Sequence, residues 1–197
     1  MLNWRRFVVT GLICVGTLGL HCGAAYAARL EGQNFDNATV LAGRTLRLNG
    51  LGLRGVAWIK AFVAGLYLPA PSKDGAQILS MPGPKRLRLK IMLEAPSKEL
   101  SKALQSRAGR EPESVKVALG DRVQRLSAAI DGLGKVKPGD VLDLDYVPDV
   151  GVQLRYNEQA VGVPVPGEDL YRVVLKIFVG EKPVDKRMKE GLLRGGY

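Results

Sequence analysis

The sequence predicts an α+β fold, an antiparallel sheet with helices packed on one of its faces. Three patterns carry that prediction. Strand-like segments come in runs and helix-like segments come in runs, where an α/β protein would alternate them one by one. Residues 86–93 set Leu87, Leu89, Ile91 and Leu93 against Arg86, Arg88, Lys90 and Met92, the period-2 alternation of a strand with one wet face. Residues 168–178 place Leu170, Val173, Val174, Ile177 and Phe178 at the spacing of an amphipathic helix.

The remaining elements come in order along the chain. Leu30 to Phe35 and Arg44 to Leu48 read as short strands around a turn containing Asn and Gly. Leu53 to Leu68 reads as one long strand, or as two with a bulge at Gly55, ended by Pro69-Ala70-Pro71. Asp74 to Met81 is a short helix or turn. Ser97 is placed to cap a helix that runs to about Arg107. A longer helix starts near Pro112-Glu113-Ser114 and aligns Val115, Leu119, Val123, Leu126, Ile130 and Leu133, with Gly132 and Gly134 as its stop. Three strands come next: Val141 to Val147, Val152 to Tyr156 and Ala160 to Val165, the last two joined at Asn157-Glu158-Gln159. Pro166-Gly167-Glu168-Asp169 begins the next helix, with Gly180 as its C-cap. Pro183 opens a last helix, Val184 to Arg194. The second face of the sheet is then open, or closed over a cavity.

Residues 1–27 read as a secretory signal peptide. Arg5 and Arg6 supply the charged region, Phe7 to Leu20 the apolar run, and Ala25-Tyr26-Ala27 the small residues at a cleavage site between Ala27 and Ala28. The apolar run falls short of the roughly 20 residues that a spanning helix needs. His21 before Cys22 does not suit a lipoprotein signal. One exported domain, residues 28–197, is left, with the periplasm as the expected compartment. Cys14, Cys22 and His21 depart with the signal. A mature chain without thiol or imidazole has no Cys–His or Ser–His–Asp catalysis, no disulfide, and no histidine or thiolate metal site. No metal and no cofactor is expected.

The formal net charge is +10, and the signal holds two cations and no acid. A basic exported protein meets anionic lipid, anionic polysaccharide or acidic small molecules. The cations are scattered: Lys85, Arg86, Arg88 and Lys90 come closest to a run. Aromatic residues are not interleaved with them, so nucleic acid is not an expected partner.

One stretch concentrates the functional signal. Asn49-Gly50-Leu51-Gly52-Leu53-Arg54-Gly55 leads into the apolar segment that ends Gly65-Leu66-Tyr67-Leu68. No Asp or Glu lies between Asp36 and Asp74, whereas Arg44, Arg47, Arg54, Lys60 and Lys73 do. A cation entering a half-buried strand needs an anion, since an unpaired buried charge costs several kcal/mol or more. The anion is either a distant side chain or a ligand. Gly50, Gly52 and Gly55 also spell G-x-G-x-x-G, but a dinucleotide site needs a helix after the motif. This motif runs instead into Val56, Trp58, Ile59, Phe62 and Val63, residue types that favour strand.

The order of these elements and residues resembles the chalcone isomerase-like family. The similarity rests on Gly50-Leu51-Gly52-Leu53-Arg54-Gly55 with Lys60 and Gly65-Leu66-Tyr67-Leu68, and on Asp145-Tyr146-Val147-Pro148 with Gly151. It extends to the hairpin at Asn157 and to Phe178-Val179-Gly180 before Pro183. The resemblance covers essentially the whole chain after the signal. It implies an open-faced β-sandwich with a ligand cleft between a large antiparallel sheet and a helix layer. The family holds enzymes that cyclise chalcones and non-catalytic members that bind fatty acids. The enzymes use an arginine matched by Arg54, a threonine whose place falls on Phe62, and a tyrosine and an asparagine from the helical region. No Tyr lies between Tyr67 and Tyr146, and no Asn between Asn49 and Asn157. A further polar residue on the late helix falls near Tyr171. Oriented hydrogen-bond donors carry much of such catalysis, so their loss favours binding without turnover.

The expected site is therefore Arg54, Trp58, Lys60, Phe62 and Tyr171. Strict alternation puts Arg54, Trp58, Lys60 and Phe62 on one strand face, two cations among aromatics. Such a lining suits an acyl chain with a carboxylate that Arg54 grips bidentately. Each residue also has a structural reading. Arg54 pairs with Asp143 or Asp145, Lys60 snorkels at the surface, Trp58 and Phe62 belong to the core, and Tyr171 steadies the helix layer. Asp143 and Asp145 themselves read as a solvated strand face. The leading expectation is non-catalytic binding of a fatty-acid-like anion, with peripheral contact to anionic lipid. The alternative is an intramolecular lyase, an isomerase of the chalcone type in which Arg54 polarises an unsaturated carbonyl compound. A third is a domain whose cleft is filled by its own side chains.

Overall fold

The structure, a computed structural model, describes residues 27–197. The expected signal segment up to Tyr26, with Cys14, His21 and Cys22, lies outside the described residues. Ala27 and Ala28 begin the first strand.

Four two-residue turns organise the β structure. β1 (Ala27–Leu30) and β2 (Gln33–Asp36) join at Glu31-Gly32. β3 (Ala38–Leu41) and β4 (Arg44–Val56) join at Ala42-Gly43. β4 then meets β5 (Ile59–Leu68) across Ala57-Trp58. β10 (Gly151–Tyr156) and β11 (Gln159–Val165) join at Asn157-Glu158. Each turn has at least one residue at positive φ, from +47° at Asn157 to +79° at Gly32, as the tight turns compatible with right-handed strand twist require. Two expectations are corrected here. Residues 30–35 are not one strand, and the long segment 53–68 is a hairpin that reverses at Ala57-Trp58. The register does shift between Arg54 and Gly55, beside the expected bulge.

β6 (Lys85–Ile91) and β9 (Val141–Val147) complete a seven-stranded antiparallel sheet of order β11-β10-β9-β6-β5-β4-β3. α1 (Gly75–Ser80) is capped by Asp74, whose carboxylate accepts the N–H of Ala76. α2 (Lys98–Ala108), α3 (Glu113–Leu119), α4 (Arg122–Asp131), α5 (Glu168–Val179) and α6 (Lys186–Leu192) make up the rest of the helical layer. The single long helix expected from residue 112 is broken at Gly120, at φ +53° and ψ −132°, which no helix continues. The last helix starts at Lys186, behind an Asp185 cap. A two-residue ladder of β7 (Ala95–Pro96) with β8 (Lys135–Val136) was not foreseen.

The larger core lies between the helices and one sheet face, where Leu66, Leu87, Leu89, Leu142, Leu144 and Leu154 meet α5 and α4. The other face has a smaller core of Phe35, Leu46, Leu48, Leu51, Val63 and Tyr67, covered by the β1–β2 hairpin. Gly65 makes room for Phe35 there: a Cβ would sit 2.7 Å from its ring. Beyond the hairpin the same face holds ions. Arg86 lies opposite Asp145 and Arg88 opposite Asp143, each pair bonded through two N–H···O contacts of 2.6–2.7 Å. Both aspartates are 1% exposed. The solvated-face reading of these four residues is thus corrected: β6 and β9 are neighbours, so each strand supplies the other's counter-ions.

Candidate functional site

Two of the three glycines in the Gly50–Gly55 segment, Gly50 and Gly52, make room for α6. Gly50 and Gly52 present bare backbone to that helix, and a Cβ on them would fall 2.2 Å from the Gly191 carbonyl oxygen and 2.3 Å from that of Met188. α6 therefore lies directly on β4. Its C-terminal end is tied down by buried Asn49, whose Nδ2 donates to the carbonyls of Leu192 at 2.7 Å and Ser72 at 2.9 Å. Its N-terminal end is tied down by Arg54, whose Nη1 donates to Asp185 Oδ2 at 3.2 Å. The anion missing between residues 36 and 74 thus comes from the far end of the chain. Asp143 and Asp145, the partners that a structural reading of Arg54 named, lie on the opposite face with Arg88 and Arg86.

Next to this pair opens a cavity of about 490 Å³. Its floor is the helix-side face of β5, β6 and β9 at Phe62, Leu89, Ile91 and Leu142, and its roof comes from α2 and α5 through Leu100, Ala103, Ile177 and Phe178. The wall is apolar apart from Arg54, Ser97, Glu99 and Lys102. Glu99 and Lys102 answer each other at 2.7 Å in solvent. Ser97 is buried, and among the described residues its hydroxyl has no hydrogen-bond partner; it does not cap α2. The expected cap is thus replaced by an unspent hydroxyl on a residue of the cavity wall.

The five expected site residues are not all brought together. Arg54 and Phe62 are direct partners in the β4–β5 register and both line the cavity. Trp58 is at the hairpin turn, 87% exposed, because reversal of the chain at Ala57-Trp58 breaks the alternation that placed it beside Arg54. Lys60 lies outside the cavity lining and donates to Glu31 at 2.6 Å. Tyr171 is buried at the sheet, donates to the Leu144 carbonyl at 3.0 Å and stacks on Tyr146 at 5.4 Å. Burial holds its hydroxyl well above the ordinary tyrosine pKa. Sequence reasoning did not reach Asp185, the place of Ser97 in the cavity wall, or the aliphatic roof on α2. The signal for Asp185 was local: an Asp two residues after Pro183 and ahead of Met188 and Leu192 is a helix N-cap pattern.

Such a cavity can take up an acyl or aryl body and offer one guanidinium to an anionic head. The acid–base groups of its lining, Glu99 and Lys102, are paired at its solvent edge, and none of the tyrosines among the described residues lines it. No group of three or more His, Cys, Asp or Glu that could hold a metal occurs among the described residues.

The fold has a solved counterpart. The structure matches the crystal structure of an Arabidopsis thaliana fatty-acid binding protein with a TM-score of 0.67 at 18% identity, covering 86% of this chain and 96% of that one. No curated protein sequence matches. The chalcone isomerase-like family profile matches residues 27–194. With that match running the length of the sheet and helix layer just described, the chain belongs to the chalcone isomerase-like family.

Proposed function

We propose that this protein binds a fatty acid, or a similar amphipathic carboxylate, without turning it over. The carrying observation is the apolar cavity of about 490 Å³ with Arg54 in its wall. Its size falls within the range of small-ligand sites, and a mostly apolar lining with few polar groups is their common form. The acyl chain lies between Phe62 and Leu89 below and Ala103 and Phe178 above. The carboxylate meets Arg54, whose guanidinium has five N–H donors, one of them engaged by Asp185. The fatty-acid binding protein of similar fold supports this reading, and so does Phe62 at the place of the catalytic threonine of family enzymes. No polar group stands opposite Arg54 in the register to orient a carbonyl, so cyclisation of a chalcone panel is expected to stay at the uncatalysed rate. The protein acts after export, with the signal removed before Ala28; N-terminal sequencing of the periplasmic protein is expected to read Ala-Arg-Leu-Glu.

Native mass spectrometry tests the binding. Protein from the periplasmic fraction is expected to carry an acidic lipid, identified after organic extraction. Arg54→Gln should lose it, and Ala103→Trp, which fills the cavity, should exclude it. A clean apo mass, together with no uptake from a mixture of fatty acids, would overturn the reading.

A further inference from the structure

We propose that the open end of the cavity docks on an anionic lipid bilayer, with the Ala57-Trp58 turn inserted among the headgroups. The inference rests on reading the cavity as an acyl-ligand site and adds how the ligand reaches it.

Leu93 and Val184 both line the cavity, and both are also exposed, 45% and 41%. The cavity therefore opens to solvent where they stand. The β4–β5 turn projects from the same end. The carbonyl of Ala61, itself a lining residue, accepts the N–H groups of Met92 and Leu93, which sets Leu93 beside β5 two residues from Ile59. On the other strand, Trp58 follows Arg54 by four residues, at most about 13 Å at the rise of a strand. Trp58 and Ile59 are 87% and 48% exposed. The turn does not need them, since tight hairpin turns favour Gly, Asn and Asp. The core does not use Trp58 either. Large apolar side chains gathered at one exposed end mark an interaction surface.

The chemistry around the patch selects a bilayer as its occupant. Tryptophan prefers the headgroup level of a membrane, where its ring is buried and its N–H stays wet. Lys182, Lys186 and Arg187 are exposed on either side of Val184. Across residues 181–190 the exposed acids Glu181 and Glu190 stand against Lys182, Lys186, Arg187 and Lys189, while Asp185 is occupied by Arg54 and by the N–H of Met188. This rim presents a net excess of positive charge, which anionic headgroups attract. An acyl ligand could then pass between bilayer and cavity along Leu93 and Val184 without crossing water.

In the exported protein, from which the signal segment and Trp4 have been removed, Trp58 is the sole tryptophan, so its emission reports on the turn alone. Mixed phosphatidylglycerol–phosphatidylcholine vesicles should shift that emission to the blue, and brominated acyl chains should quench it. Pure phosphatidylcholine should do neither, nor should the mixed vesicles with Lys182→Glu/Lys186→Glu/Arg187→Glu. Trp58→Ser should take up monomeric fatty acid from water as wild type does, yet pass it to vesicles severalfold more slowly. Trp58 emission unmoved by the mixed vesicles, or moved equally in the triple variant, would overturn the proposal. So would a shift that follows protein concentration without vesicles, which would assign the patch to a second copy of the chain. Failure of wild type to take up fatty acid from water would sink the ligand reading while leaving the Trp58 measurement to judge the docking.

Discussion

Arg54 and Asp185 meet at 3.2 Å across the joint between β4 and α6, and the same aspartate caps the helix by accepting the N–H of Met188 at 3.0 Å. One carboxylate thus fixes the guanidinium in the cavity wall and the helix that runs over the strand. Its negative charge also opposes any anionic ligand that Arg54 holds. Asp185→Asn keeps the cap, since Asn and Asp cap about equally well, and removes the charge. Affinity for a fatty acid is expected to rise, with no change for the corresponding fatty alcohol; isothermal titration calorimetry compares the two. Equal gains for acid and alcohol would show that Arg54 does not read the head.

Gly52→Ala should destabilise the protein although it adds a better strand former. The new Cβ would lie 2.3 Å from the Met188 carbonyl oxygen, a backbone atom that cannot turn aside. Overpacking of this kind costs about 1–3 kcal/mol. Urea unfolding measures the loss, and hydrogen exchange should show it concentrated in residues 186–192.

Asp145→Ala leaves Arg86 buried without its two 2.6 Å contacts. Removing one member of a buried pair costs about 3–5 kcal/mol, whereas replacing both by apolar groups is often neutral. The double variant Arg86→Met/Asp145→Leu should therefore be more stable than Asp145→Ala in the same urea experiment. The opposite order would mean that Asp145 does not act through Arg86.

Glu111 ties the end of α2 to α5. Burial pushes its carboxyl up, but hydrogen bonds from Lys176 and Arg107, both 2.6 Å, outweigh this and hold it below its ordinary value. A carboxyl depressed in the folded state adds stability above its unfolded pKa, about 4.3 for Glu. That stability is lost as pH falls through the lower folded value. Unfolding free energy should fall as the solution is acidified below about pH 5, and Glu111→Gln should be less stable at neutral pH with a shallower acid slope. Identical slopes would remove Glu111 from the acid response.

Local pattern was enough for most elements. The alternation in β6, the helical stripe in α5, and the strands β9, β10 and β11 are written in side chains that each element reads for itself. The breaks were less legible. Ala57-Trp58 lacks the Gly or Asn that announces a tight turn, so the strand signal ran through it and carried Trp58 and Lys60 into the site. The Gly120 break in the 112–131 segment was masked by apolar spacing that continued across it.

The sequence by itself determined the α+β class, the likeness to the chalcone isomerase-like family, and the need of Arg54 for an anion that its own neighbourhood lacks. The tertiary structure alone decided which anion that is, that Gly50 and Gly52 serve α6, that Asp143 and Asp145 neutralise Arg88 and Arg86, and that a cavity remains beside Arg54. The reason is physical. Periodicity and turn chemistry act over a few residues and are recorded where they act. Charge compensation and the filling of space depend on which distant segments the fold brings into contact, as it does Arg54 and Asp185 across 131 positions of chain.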